Sequence, residues 1–361
     1  MGLEKYNNLI EEFFSQNLYS FALILVFFLG ATLRIWNITD IPLWTDEYAI
    51  WWEISASSVS EVLSRTFTIG GDQFYPLLLK PLSAFIDTPT LKTRILSLFC
   101  GMLLPLASYS LIRTAGFNKH SAIWAALLSA IHPHLIFHSQ NSRPYTIALL
   151  LSLLSFRAYL RWLKSPNGKL SVTHIISTAC VVYIHFFFVI TWAIQILHYL
   201  SLQHRPALKE WFKINGSIAL LQTGSVLIAY LAWLHQPREY LQWVPPNSLR
   251  FFTTALSGFI HPAFLALLIC GLIIMHKKQL LQRTTFPKLR PFPLMILWFF
   301  IPILFCFALS GLSGHSFLEN RYALLCAFVP IFLYSMLLGS SEGLVIFVTS
   351  SRCISAEQEP A

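Results

Sequence analysis

The feature that most constrains this chain is apolar sequence, too long and too often repeated for any water-soluble core. Runs of it lie at about 18–36, 95–112, 121–138, 145–163, 173–184, 186–202, 215–234, 258–275, 293–310 and 322–339. A helix that crosses the hydrocarbon of a bilayer needs roughly 20 mostly apolar residues. Ten such helices would use about 200 residues and leave short connections and one longer loop. Only 11% of the 361 residues are charged, less than half of what keeps a soluble domain hydrated. The expected fold is therefore an all-α membrane protein with about ten transmembrane helices. The first run is too long for a signal-peptide core and lacks a small-residue cleavage site, so it reads as an uncleaved span. The stretch 172–200 could be one long tilted helix, but it is divided at His185, because a single span would reverse every later loop.

Charge supports that division. With the N-terminus inside, the cytoplasmic segments hold Lys5, Arg113, Lys119, Arg157, Arg161, Lys164, Lys169, Arg205, Lys209, Lys213, Lys277, Lys278, Arg283, Lys288, Arg290 and Arg352, which is 16 of the 25 basic residues. Every inner turn then carries the excess that the positive-inside rule requires. The net charge of +9 is thus explained by orientation, and nucleic acid is not an expected partner. Residues 1–17 form a cytoplasmic N-terminus, 18–340 the membrane domain and 341–361 a short cytoplasmic tail. Residues 37–94 form a long amphipathic first loop on the extracytoplasmic side. Within it, 46–67 has the helical periodicity of an interfacial helix, and 74–86 is apolar but too short to span, so it is re-entrant or surface-lying. Six scattered cysteines, without a CxxC or a Cys/His cluster, suggest neither a zinc site nor a disulfide framework.

Acidic residues are the scarce resource. Seven of the sixteen fall in the first loop, and none occurs between Asp87 and Glu210, so any carboxylate chemistry belongs to that loop. Asp46 and Glu47 stand in Leu-Trp-Thr-Asp-Glu-Tyr, where Pro42 and Thr45 signal a turn into a helix whose N-terminus would stabilise them. A plain capping role for Thr45 or Asp46 is the alternative. On the same side, His132-Pro-His134 and His138-Ser-Gln140-Asn-Ser-Arg143-Pro-Tyr145 bring imidazole, amide, hydroxyl and guanidinium groups to the outer ends of two runs. Such density is also ordinary at a membrane boundary. Arg143 has no acid near it in sequence and suits bidentate phosphate binding. Arg321, before the last run, repeats the arrangement beside Glu319. Lys80 and Arg34 lie within apolar segments, where a charge must find a partner or snorkel: snorkelling is expected of Arg34, a lipid phosphate for Lys80.

In this order, Trp44-Thr-Asp-Glu-Tyr48, Asp72-Gln-Phe-Tyr-Pro76-Leu-Leu-Leu-Lys80, Arg94-Ile-Leu-Ser-Leu98, Ser139-Gln-Asn-Ser-Arg-Pro-Tyr145, His185 in an aromatic run, Trp243-Val-Pro-Pro-Asn-Ser248 and Asn320-Arg-Tyr322 resemble the GT-C membrane glycosyltransferases. Bacterial relatives of protein O-mannosyltransferases and lipid A aminoarabinose transferases are the most similar in look, over roughly 20–340. The resemblance implies a GT-C-type fold in a bacterial plasma membrane, with both termini cytoplasmic. It implies transfer of a sugar from a polyprenyl-phosphate-linked donor to a glycan, lipid or protein acceptor on the outer face. Asp46 would be the base or acceptor-positioning acid, Glu47 its neighbour and Asp72 a second loop acid. Arg143 and Arg321 would hold the donor phosphate, and Lys80, His138, Gln140, Tyr145 and His185 would line the substrate site. The sequence departs from the family pattern in having Phe74-Tyr75-Pro76-Leu77 for His-Pro-Pro-Leu, and Asn141 where an acid is common. A divalent metal is not indicated and no cofactor is required. The chain also ends soon after the last span, where many relatives continue. A transporter or flippase of a lipid-linked sugar is the competing reading, although no internal repeat is visible. An inactive paralogue is the third.

Overall fold

The computed structural model of the protein describes residues 2–69, 74–203, 205, 207–234, 291–313 and 324–339. All regular structure among them is helical. Helix α1 (Gly2–Ile35) leads into the first loop, which holds α2 (Thr45–Ile54), α3 (Val59–Ile69) and α4 (Phe74–Ser83). There follow α5 (Pro89–Ala115), α6 (Lys119–Ile131), α7 (Pro133–Ser139), α8 (Tyr145–Lys164), α9 (Gly168–Ile184), α10 (Ile190–Ser201), α11 (Leu208–Leu234), α12 (Pro291–Ser313) and α13 (Phe328–Leu338). Among the described residues four stretches, Asn17–Ile35, Pro89–Ala115, Tyr145–Lys164 and Pro293–Gly311, are long and apolar enough to cross a membrane.

Local sequence sets the helix ends. Gly116 closes α5 in the left-handed region at φ 100°, open to glycine at little cost. Two residues on, the Asn118 side chain caps α6 by accepting from the Ser121 amide at 2.7 Å, and Asn167 caps α9 in the same way. The run 121–138 is not one helix: it breaks at His132, which is extended at φ −66°, ψ 120°. Pro133 has no N–H to offer the carbonyl of Ser129, so α6 stops and α7 starts afresh. Division at His185 is present, with φ −157° there and a 3₁₀ turn, Phe186–Val189, leading into α10. The expected helix over 46–67 is two helices, because Ser55-Ala-Ser-Ser58 interrupts it.

Hydrogen bonds across the helices fix their directions. Ser155 meets Thr178 at 2.7 Å, making α8 and α9 antiparallel with Tyr159 packed on His174. Ser152 meets Thr191 at 2.9 Å and Tyr159 meets His198 at 2.8 Å, making α8 and α10 parallel. Tyr19 reaches His120 and Arg34 reaches Ala130, so α1 runs with α6, while Asn118 donates to Gly339, so α13 runs against it. Such contacts between spans contribute about 0.6 kcal/mol each on average. Aromatic packing fills the remaining core: Phe156 stacks on Trp298 at 3.9 Å and Tyr199 on Trp211 at 4.6 Å.

One end of the bundle collects the turns 116–118 and 165–167, the end of α10 and the start of α11, with Arg113, Lys119, Lys164, Lys169 and Lys209. The opposite end collects the C-terminus of α1, the first loop, His132–Tyr145 and His185. Outward faces carry large apolar side chains in helical register, among them Phe21, Leu25 and Phe28 on α1 and Phe300, Leu304 and Phe307 on α12. That inversion of soluble patterning, with the long apolar helices, makes this a multi-pass membrane protein.

Candidate active site at the loop end of the bundle

The candidate site is built around α2. Asp46 lies in its first turn, and its Oδ2 stands 3.7 Å from Nη2 of Arg143, with the two side chains 32% and 22% exposed. Arg143 is thus paired with an acid 97 positions away, which no local reading of the sequence brings to it. The Arg143 guanidinium also lies over the Tyr145 ring, 5.7 Å from its centroid. Cap duty at the start of α2 does not fall to Thr45 or Asp46: the cap position is Trp44, whose amide faces Glu47 Oε2 at 3.5 Å.

Glu47 is fully buried. Its carboxylate accepts from Arg94 Nε at 2.8 Å and Nη2 at 2.6 Å, and from the Ser142 amide at 2.7 Å. Arg94 spends its other donors on the carbonyls of Ile38, Ile41 and Pro42. One buried ion pair therefore ties the loop entry, α2, α5 and the segment 140–144 together. A buried pair persists only when hydrogen bonds satisfy both charges, and here they do. Lys80 acts at the other end of α2, where its Nζ donates to the carbonyls of Ile54, at 3.1 Å, and Ala56. A cation at a helix C-terminus is also favoured by the macrodipole. In the first turn of α3, Glu61 accepts from the amide and hydroxyl of Ser57 in the connection from α2, both at 2.7 Å, and pairs with Arg65. The Ser57 hydroxyl and amide, with Arg65, hold its carboxyl down at about 2.

The backbone of Arg143 is fixed from below. Ser97 donates to its carbonyl at 2.9 Å, and Tyr75, buried completely, donates to Ser97 at 2.8 Å. Ser142 donates to Thr93 O at 2.8 Å. Behind Arg143 runs an aromatic row: His138, buried, meets Tyr145 at 5.4 Å between centroids, and Tyr145 meets His185, also buried, at 5.1 Å.

Gln140 faces the other way. Its amide donates to Trp36 O at 2.8 Å and Arg34 O at 3.2 Å, closing the last turn of α1. Arg34 returns the favour. It does not snorkel but is fully buried, donating to Ala130 O at 2.8 Å, Ser129 O at 3.1 Å, Gly30 O at 3.0 Å and Ser139 Oγ at 3.2 Å. The Ser129 carbonyl is the one that Pro133 leaves without an amide. Gly101 permits the fit, since a Cβ there would run into Ser139.

The structure therefore brings Asp46, Glu47, Arg143, Tyr145, His138 and His185 to one end of the bundle, with Lys80 and Gln140 committed to nearby carbonyls. Asp72, Arg321 and the segment 243–248 lie outside the described residues. Arg94 and Arg34, not proposed as site residues from sequence, are the groups that hold the site's framework. Their signal was available, since each is a charge at the edge of an apolar run.

No protein-family model matches the sequence, and no curated protein matches it. Solved structures do. The apo oligosaccharyltransferase of Archaeoglobus fulgidus is 12% identical, with a TM-score of 0.59 over 96% of this chain and 53% of that one. The archaeal oligosaccharyltransferase AglB from the same organism, in complex with an inhibitory peptide and a dolichol-phosphate, is 14% identical, with a TM-score of 0.57 over the same shares. The form tethered to an acceptor peptide gives 14% and 0.50, over 91% of this chain and 50% of that one. The chain spans about half the length of these proteins. At such identities the likeness is one of fold alone: the chain adopts an all-helical membrane architecture like that of these oligosaccharyltransferases.

Proposed function

We propose that this protein is a membrane glycosyltransferase that moves a sugar from a polyprenyl-phosphate-linked donor to an acceptor on the extracytoplasmic face. The observation that carries the reading is the Asp46–Arg143 pair: a partly exposed carboxylate 3.7 Å from a guanidinium, at the end of the bundle opposite the basic turns. In the proposed step Asp46 takes the proton of the acceptor hydroxyl as its oxygen bonds to the anomeric carbon. The bond from that carbon to the phosphate oxygen breaks, and the electron pair leaves with the phosphate. Arg143, joined by Arg321, bears the charge that develops there. Glu47 holds α2 so that Asp46 faces Arg143. Asp72 serves as the second loop acid, and His138, Tyr145 and His185 line the sugar side. Lys80 and Gln140 act on the site indirectly, through the backbone carbonyls they hold. The fold likeness to proteins that bind a dolichol-phosphate or an acceptor peptide supports a lipid-linked donor and a peptide or glycan acceptor in general terms. Ten spans with both ends inside a bacterial plasma membrane complete the proposal.

Transfer of radiolabelled sugar from polyprenyl-phosphate donors, in membranes holding matched amounts of protein, tests it. Asp46→Asn is expected to lower transfer by about 10²-fold or more, the range of a lost general base. Unchanged transfer would remove Asp46 from the reaction, and no transfer by the unaltered chain with any donor would overturn the reading itself.

A further inference from the structure

At the basic end of the bundle α8 carries a ladder of cations. Arg157, Arg161 and Lys164 recur at the spacing that puts them on one face of the helix. Leu154, one turn nearer the middle of the bundle and exposed, continues that face as an apolar surface. Arg113, in the last turn of α5, stands beside them, close enough to repel Lys164. Like charges gathered in this way are unfavourable unless an anion sits among them. Among the described residues no carboxylate pairs with Arg113, Arg157 or Arg161, and Glu210, at the same end, accepts from the Ser171 hydroxyl instead. Arg157 is the informative member. It lies about 10 Å back along the helix axis from Lys164, inside an apolar segment where a charge needs a partner. Arg34 and Arg94 have theirs, with four and five hydrogen bonds. Arg157 is half-buried, its Nε is closed off from solvent, and its side chain forms no hydrogen bond among the described residues.

We propose that this ladder binds the phosphate of an anionic phospholipid from the leaflet at the basic end of the bundle. Basic clusters between helices at that face suit anionic headgroups, and a guanidinium can hold two phosphate oxygens at once. Arg157 meets the phosphate from its hydrocarbon side, Arg161 and Arg113 meet it from the water side, and an acyl chain lies along Leu154. The occupant is a lipid and not a phosphate free in water because the ladder begins on an apolar outward surface and ends at the turn 165–167. A ligand that fills it is itself part hydrocarbon and part anion. The site lies at the end of the bundle opposite the Asp46–Arg143 pair and does not depend on the proposed transfer reaction.

Native mass spectrometry of the full-length protein, titrated in mild detergent with phosphatidylglycerol or with phosphatidylcholine of the same acyl chains, tests the proposal. A phosphatidylglycerol is expected to stay bound at a collision energy that strips phosphatidylcholine. Arg157→Gln is expected to weaken its binding about fivefold, the share of one cation at a charged lipid surface. Arg161→Gln, at an exposed position where folding is not at stake, is expected to do the same, whereas Lys209→Gln, at the same end but on α11, is expected to change nothing. Equal retention of the two lipids would overturn the proposal, as would unchanged binding by either ladder variant or an equal loss in Lys209→Gln. Inorganic phosphate is the soluble competitor. At millimolar concentration it is expected to leave the lipid in place, and displacement of phosphatidylglycerol by it would assign the ladder to a free phosphate and overturn the lipid inference.

Discussion

At the residue scale the decisive groups are charges that found partners far away in sequence. Arg94 satisfies Glu47 and three loop carbonyls at once, so removing it strands a carboxylate in a dry place. Arg94→Gln is expected to destabilise the folded protein by about 3–5 kcal/mol, the cost of breaking a buried pair by deleting one partner, read as a lowered thermal midpoint in detergent. Arg143→Gln, by contrast, removes a part-exposed group and is expected to leave that midpoint within about 1 kcal/mol while sugar transfer falls. The sequence made Asp46 and Arg143 visible because acids are so few and cluster in one loop. It did not show that they face each other, since a contact across 97 positions is set by how α2 docks on α5. The same holds for Arg34. An arginine one turn from the end of an apolar run reads as a snorkelling side chain, and only the carbonyls bared at the α6–α7 break, Ser129 O by the missing N–H of Pro133, reveal why it turns inward.

At the element scale, α2 is held from both ends: Glu47 and Arg94 at the start, Lys80 at the final carbonyls. Ten residues are too few for a stable isolated helix in water, so α2 depends on these clamps. The α6–α7 break is a similar case, with Arg34 supplying donors to Ser129 O and Ala130 O. Arg34→Met is expected to cost about 1–3 kcal/mol for each carbonyl left bare and to speed amide exchange at 134–140, measured by hydrogen–deuterium exchange. The break itself was legible in His132-Pro133-His134, yet the apolar run continued across it and the whole run reads as one span. The division at His185 was legible for a different reason, because charge in the flanking turns demanded it. Helix boundaries that rest on a proline's missing N–H are local; those that rest on which side a loop occupies belong to the whole chain.

At the scale of the molecule, the described helices sort into a basic end and a loop end, as the charge pattern predicts. The consequence is checkable in whole cells of an expression host. In a chain without native cysteines, Asp87→Cys is expected to react with a membrane-impermeant maleimide added outside, and Ser165→Cys only after the membrane is opened. Equal labelling of both from outside would reverse or dissolve the arrangement. Much of this level was readable, because hydropathy and loop charge act on whole segments and survive small errors at each boundary. The site was less readable, because it depends on side chains from α2, α5 and α8 meeting within a few ångströms. The mutual closure of α1 and the α6–α7 break bears on how the protein is made. Arg34 donates to a carbonyl 95 residues later in the chain, and Gln140 reaches back to the carbonyls around Arg34. During synthesis the first helix therefore enters the bilayer as an unfinished part, its arginine waiting for a segment the ribosome has yet to translate, and the order of translation becomes an order of assembly.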